Sequence, residues 1–235
     1  VTDIASPIRT LLAPQGAEAA AVRRGLGAIA GAQPTLLSIP MGPGPTAEFL
    51  THSGPEIAPQ TAEKPGGVLL LGLGGGLSPQ LQVGDVVLLQ QCQAGFGAET
   101  MLACDRTLTA WLQQRLAHSL TRVSLGVGVS CDRIIRTPLE KQQLHQTQGA
   151  DVVDMESLTV LKMLQARSIP VAVIRVISDD CQTELPDLAT ALGSDGSLNP
   201  WPLTRCFLRQ PRAAAHLIWG SLQALQQLRT LAAQL

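Results

Sequence analysis

Residues 170–179 (PVAVIRVISD) constrain this chain most: an almost unbroken apolar run holds one guanidinium and closes on a hydroxyl and an acid. Such a run predicts, over 170–177, a strand covered on both faces. Arg175 inside it sets a requirement, because an unpaired charge there is costly. It needs a carboxylate partner, and Glu156 in 153–157 (VDMES) is the candidate.

The rest of the chain repeats the same grammar. Residues 8–13 (IRTLLA), 35–39, 68–73 (VLLLGL), 83–90 (VGDVVLLQ), 123–129 and 152–153 read as strands. Residues 17–29, 108–116 and 157–167 read as helices, the last with Leu158, Leu161 and Leu164 on one stripe. From Arg212 onward, Ile218, Leu222, Leu225 and Ala232 fall at helical spacing, with Gln223, Gln226, Gln227 and Arg229 towards water. The glycines 74–76 are expected to end their strand, and Thr46 to cap a helix after the 41–44 turn. The stretch 178–202, rich in Asp, Gly, Ser and Pro, reads as a loop or lid. Alternating strand and helix predicts one α/β domain over 1–235, with a central, mostly parallel mixed sheet flanked by helices.

Composition removes several function classes. The net charge is -1 with no basic block, which argues against nucleic acid as a partner. The five Cys are odd in number and form no CxxC, so neither a disulfide framework nor a zinc site is indicated, and a reducing, cytoplasmic setting is expected. The opening VTDIASP lacks the basic and apolar regions of a signal peptide, and no stretch has the length of a transmembrane segment. Contact with a membrane surface remains open. With 3% aromatics and no Tyr, the core must be Leu, Val, Ile and Ala. His52, His118, His145 and His216 have no metal-ligand spacing, and no GxSxG elbow occurs.

In α/β sheets ligands gather beyond the carboxyl ends of strands. Four segments lie at such places. Singly, Arg175 reads as half of a structural ion pair and Asp179 as a loop cap; on successive βα units, VDMES and RVISD together indicate a site. The glycines of 72–77 (GLGGGL) suit close backbone approach to a ligand and equally a plain tight turn. Glu18 suits the first turn of a helix. Residues 41–44 (MGPG) suit a loop.

Taken together, these elements resemble the nucleoside phosphorylase and methylthioadenosine/S-adenosylhomocysteine nucleosidase superfamily. VDMES is similar to its ribose-binding Met-Glu motif and RVISD to its base-binding strand end. Residues 71–85 (LGLGGGLSPQLQVGD) are similar to its Gly-rich strand followed by Gly-Asp, and MGPG to an early Gly turn. The resemblance implies that Glu156 bonds the ribose hydroxyls, with Met155 packed on the sugar. Asp179 would be the acid that protonates the departing purine, oriented by Ser178. Glu18 would activate water. Gly42, Gly74, Gly75, Arg175, Ile134 and Ile135 would complete the substrate site. No metal or organic cofactor is implied, and a homo-oligomer is expected.

Some positions depart from the pattern. Leu73 stands where many members have a small hydroxyl residue, and Ile134 where nucleosidases place a stacking aromatic. Arg23 and Arg24 do not align with the arginines that grip phosphate. Residues 195–198 (DGSL) and 208–212 (LRQPR) resemble the hopanoid-biosynthesis-associated branch. The implied function is cleavage of a purine (adenine) nucleoside by water or phosphate, with methylthioadenosine-type, S-adenosylhomocysteine-type or lipid-linked adenosylhopane-type substrates. The alternative is a non-catalytic nucleoside-binding protein on the same fold.

Overall fold

The computed structural model describes residues 6–29, 33–53, 57, 66–96, 100–117, 122–188, 191, 193 and 199–235. In chain order, its strands are β1 (Ile8–Pro14), β2 (Thr35–Ile39), β3 (Gly67–Gly76), β4 (Val86–Ala94), β5 (Met101–Ala103), β6 (Val123–Ser130), β7 (Val152–Asp154) and β8 (Val171–Asp179). The helices are α1 (Ala17–Leu26), α2 (Pro43–His52), α3 (Arg106–Leu116), α4 (Pro138–Gln148), α5 (Ser157–Gln165), α6 (Pro200–Arg209) and α7 (Pro211–Ala232).

All eight strands join one sheet, mostly parallel and mixed as expected. Part of it closes on itself. β3 pairs β8 in parallel, β8 pairs β4 antiparallel, β4 pairs β6 and β6 pairs β7 in parallel, and β7 returns antiparallel to β3. β1 and β2 extend outward from β3, and β5 from β4. The closure brings the ends of β3, β7 and β8 together, where an open sheet would spread them.

Period-two alternation covers both faces. Leu69 and Leu71 of β3 and Ala172, Ile174 and Val176 of β8 pack with α1, α3 and α7. Val68 and Leu70, with Val171, Val173 and Ile177, pack with α2 and α5. Every residue of β8 is buried, Arg175 included. Cys92, Cys104 and Cys131 are free and buried, as small apolar residues would be. No helix among the described residues is long and apolar enough to cross a membrane.

The structure corrects several sequence expectations. The glycines 74–76 do not end β3; they continue it, pairing with β7 and β8. Helix α2 starts at Pro43 with Gly42 as its N-cap, and Thr46 turns its hydroxyl to the Pro40 carbonyl. The 178–202 segment is not one loop: Ser178 and Asp179 belong to β8, and α6 begins at Pro200. Its described part from 180 to 188 buries Leu185 and Leu188. Residues 195–198 lie outside the described residues. β5 and α4 had no apolar pattern to announce them, although the Thr137–Glu140 capping box with Pro138 marks the start of α4. On α7 the buried side is Ala214, Gly220, Ala224, Leu228, Leu231 and Ala232, while Ile218 and Leu222 are exposed.

Gly220 sets how closely α7 approaches the end of β8. A Cβ there would lie 2.1 Å from the Ser178 carbonyl oxygen. Overpacking of this kind costs about 1–3 kcal/mol. Gly220→Val is expected to lower the thermal midpoint by several degrees; an unchanged midpoint would show that α7 is not locked to β8 at this point.

Candidate active site

The site is built outward from Arg175. Its guanidinium is fully buried and reaches two carboxylates: Nε lies 2.7 Å from Asp154 Oδ2, and Nη2 lies 3.3 Å from Glu156 Oε2. Nη2 also donates to Ser157 Oγ at 3.2 Å, and Nη1 to the Leu73 carbonyl at 3.3 Å. The carboxylate expected for Arg175 is therefore two carboxylates, and the nearer is Asp154, which the sequence did not single out. Asp154 also accepts from the hydroxyls of Ser130 and Ser157 and, at 3.2 Å, from the Ser157 N–H that opens α5. Burial works to lower the pKa of Arg175, yet Asp154, Glu156 and Glu18 hold it above its ordinary value.

With Arg175 behind it, Glu156 is fixed from in front by Gly42, whose N–H donates to Oε1 at 2.9 Å. Burial pushes the Glu156 carboxyl up, against the pull of Arg175. Glu18, from the first turn of α1, accepts from the Leu73 N–H at 2.6 Å. Burial pushes its pKa up to about 7, with the Leu73 N–H and Arg175 opposing and Glu156 and Asp154 adding to the rise.

Asp179 ends β8. Its Oδ2 accepts from the Lys141 ammonium at 2.6 Å, and its Oδ1 lies 2.7 Å from the Ser178 hydroxyl. That hydroxyl is also 3.3 Å from the Gly74 carbonyl, so its one proton serves either acceptor. Lys141 is fully buried and also donates to the carbonyls of Asp180 at 2.6 Å and Thr183 at 3.0 Å. It sits on α4, a helix too polar to suggest a buried cation, and sequence reading missed it for that reason.

The glycines of β3 make this crowding feasible. At Gly72 a Cβ would meet Arg175 Nη1 at 2.4 Å and Glu18 Oε2 at 2.7 Å; at Gly75 it would meet Asp179 Oδ2 at 3.0 Å. The GLGGG run is thus not a turn. It is strand backbone that lets the charged groups come close.

These groups open on one cavity of about 850 Å³. Glu18, Met155, Glu156, Ser178 and Asp179 line it, as do Gly74, Gly75, Ile134 and Ile135. Arg175 and Gly42, expected to touch substrate, do not line it; they hold Glu156 from outside. Arg133 is the one cation among the described lining residues, and it pairs with Glu140 at 2.8 Å. Arg23 and Arg24 are exposed on α1 and absent from the lining. The outer wall comes from α6 and α7: Leu203, Phe207, Leu217, Ile218, Leu222 and Leu225. No group of three or more metal-ligating side chains occurs among the described residues.

A family model described as the phosphorylase superfamily matches residues 12–194. Among solved structures, 5'-methylthioadenosine/S-adenosylhomocysteine nucleosidase from Helicobacter pylori with butyl-thio-DADMe-Immucillin-A matches at 15% identity, covering 94% of each chain, with TM-score 0.68. Futalosine hydrolase of Helicobacter pylori strain 26695 matches at 16% identity over 96% of this chain and 97% of its own, with TM-score 0.65. The corresponding 5'-methylthioadenosine/S-adenosyl homocysteine nucleosidase of Campylobacter jejuni matches at 14% over 96% and 98%, with TM-score 0.62. At these identities the likeness shows a shared fold.

Removing Arg175 would leave two buried carboxylates without their cation, a loss of about 3–5 kcal/mol. Arg175→Met is expected to lose that much stability in urea at neutral pH. The deficit should shrink in mild acid, where Glu156, whose carboxyl burial pushes up, takes up a proton. An equal deficit at both pH values would mean that packing, not charge, sets the role of Arg175.

Proposed function

The chain belongs to the phosphorylase superfamily, and we propose that it breaks the N-glycosidic bond between a purine and its ribose. One observation carries this reading. A single cavity brings Asp179 together with Glu156 and Glu18, lined elsewhere mainly by apolar side chains. The β3 positions beside Glu18 and Asp179, Gly72 and Gly75, are three residues apart, roughly 10 Å at strand rise. That spacing suits a nucleoside with its sugar towards Glu156 and its base towards Asp179.

Each group then has a task. A purine leaves readily only when a ring nitrogen is protonated. Asp179 takes up a proton from water and passes it to that nitrogen, and Lys141 meets the charge left on the carboxylate. A positioned acid typically contributes ~10²–10⁴ in rate. As the bond breaks the ribose becomes cationic, and the carboxylates near it stabilise that charge. Glu156 also accepts from the sugar hydroxyls, while Met155 packs on the ring. Ile134 and Ile135 flank the base. Glu18, with its pKa near neutrality, removes a proton from the attacking water.

Water is favoured over phosphate by the same electrostatics. Glu18, Glu156 and Asp154 line the cavity, and its one described lining cation, Arg133, sits beside Ile134 and is already paired with Glu140. A phosphate placed near Glu18 would face like charge. The apolar wall of α6 and α7 fits a substrate with a large apolar group beyond its ribose. A lipid-linked adenine nucleoside has this form; methylthioadenosine carries a smaller apolar group there and S-adenosylhomocysteine a thioether chain that ends in a charged amino acid, and the cavity is near the upper end of the usual size range.

The decisive assay follows base and sugar release from methylthioadenosine, adenosine, inosine and an adenosine with a long 5'-alkyl chain, with and without phosphate. Free base and free sugar, independent of phosphate, are expected; no base release from any of the four would overturn the reading. For the hydrolytic step, kcat/KM should rise with pH through about 7 as Glu18 loses its proton. This limb should vanish in Glu18→Gln. A wild-type profile that is flat through neutrality would remove Glu18 as the base.

A further inference from the structure

Residues 196–235 contain no Asp or Glu and four Arg: Arg205, Arg209, Arg212 and Arg229. Thirteen basic and eighteen acidic residues remain in 1–195, so a segment of +4 is joined to a body of -5. The positive segment is built into α6 and α7, the helices that wall the mouth of the cavity.

Helix α6 is amphipathic in an unusual sense. Its inner side, Leu203 and Phe207, lines the cavity. Its outer stripe, at spacing i, i+3, i+4, i+7 and i+8, is Trp201, Thr204, Arg205, Leu208 and Arg209, and all five are exposed. Trp201 is 86% and Leu208 78% exposed, and no residue of α6 is fully buried. Helix α7 adds Trp219 at 63% and Leu222 at 62%. Large apolar side chains exposed together on adjoining helices mark an interaction site. Exposed indole and leucine with arginine along their edge suit a helix that lies in the lipid interface, its apolar side chains in the headgroup boundary and its cations at the phosphates.

We infer that α6 and the first half of α7 dock this protein on an anionic lipid bilayer. Trp201 and Leu208 enter the headgroup boundary, and Arg205, Arg209 and Arg212 meet lipid phosphates. Charge complementarity selects this occupant. A second copy related by a two-fold axis would bring the same arginines face to face with no acid on α6 or α7 to neutralise them. An anionic bilayer neutralises them all. The docking does not rest on the proposed reaction. Its consequence does: the mouth between Phe207, Ile218 and Leu222 opens beside the docked face, so an apolar substrate tail passes from lipid to cavity without crossing water.

The test is co-sedimentation of the full chain with vesicles, which needs no turnover and so stands or fails apart from the reaction. Phosphatidylcholine vesicles containing phosphatidylglycerol should retain the protein at low salt, and raised salt should release it. Phosphatidylcholine alone should bind far less. Trp201→Ser with Leu208→Ser should abolish retention at an unchanged thermal midpoint, because both residues are exposed. Arg205→Glu with Arg209→Glu should weaken it by at least about tenfold. The inference is overturned by no retention on anionic vesicles, by equal retention of either double variant, or by equal binding to phosphatidylcholine alone. A wild type that is dimeric in solution, with the Trp201 and Leu208 variant monomeric, also overturns it and gives the face to a second copy.

Discussion

One end of the candidate site, with Glu18, Glu156 and Asp154, is arranged around one buried cation. Arg175 lies in the middle of a strand buried along its whole length, and it is tolerable there only because Asp154 and Glu156 reach it from the β7–α5 junction. The pairing fixes β7 against the end of β3, orients Glu156 towards the cavity and adds its field to the setting of Glu18. Hydrophobic residues in place of the whole Arg175–Asp154–Glu156 cluster would pack more cheaply, because buried ion pairs seldom add net stability. What the pair supplies is a carboxylate held in one orientation beside a cavity.

The charge balance divides along β3. Near Gly72, Arg175 pairs with Asp154 and Glu156 and acts on Glu18 through its field; near Gly75, Lys141 holds Asp179. The two ends of the site thus have separate buried cations, and neither cation lines the cavity. This differs from an exposed cluster of like charges, where salt and solvent would blur the roles. The shape of the cavity then separates tasks further, with polar groups at its floor and leucine, isoleucine and phenylalanine at its mouth.

Much of this was legible in the sequence because strand burial writes itself in composition. β1, β2, β3, β6 and β8 stand within a few residues of where their apolar runs place them. The Met-Glu and Ser-Asp elements were legible as a pair, since a charge in a buried strand demands a partner. The failures share a cause: the side chains involved draw their meaning from distant contacts. Lys141 sits in the polar sequence PLEKQQ and is buried only because the 180–183 backbone folds over it. Asp154 reads as an ordinary strand end until Arg175 arrives from β8. The run GLGGG has a turn's composition but a strand's geometry, for its glycines answer to Arg175, Glu18 and Asp179 rather than to local backbone needs. Ile218 and Leu222 have core spacing yet face the cavity mouth, because the buried side of α7 carries Gly220, Ala224 and Ala232, small residues that let it sit close to α1 and β8.

The central claim is that Asp179, held by Ser178 and Lys141, hands a proton to the leaving base. Single-turnover base release by Asp179→Asn, compared with wild type at matched thermal midpoints, tests it most directly. The account predicts a fall of at least ~10² with the fold intact. Near-normal release by that variant would contradict it and leave the cavity as a place where a nucleoside binds without being cut by this acid.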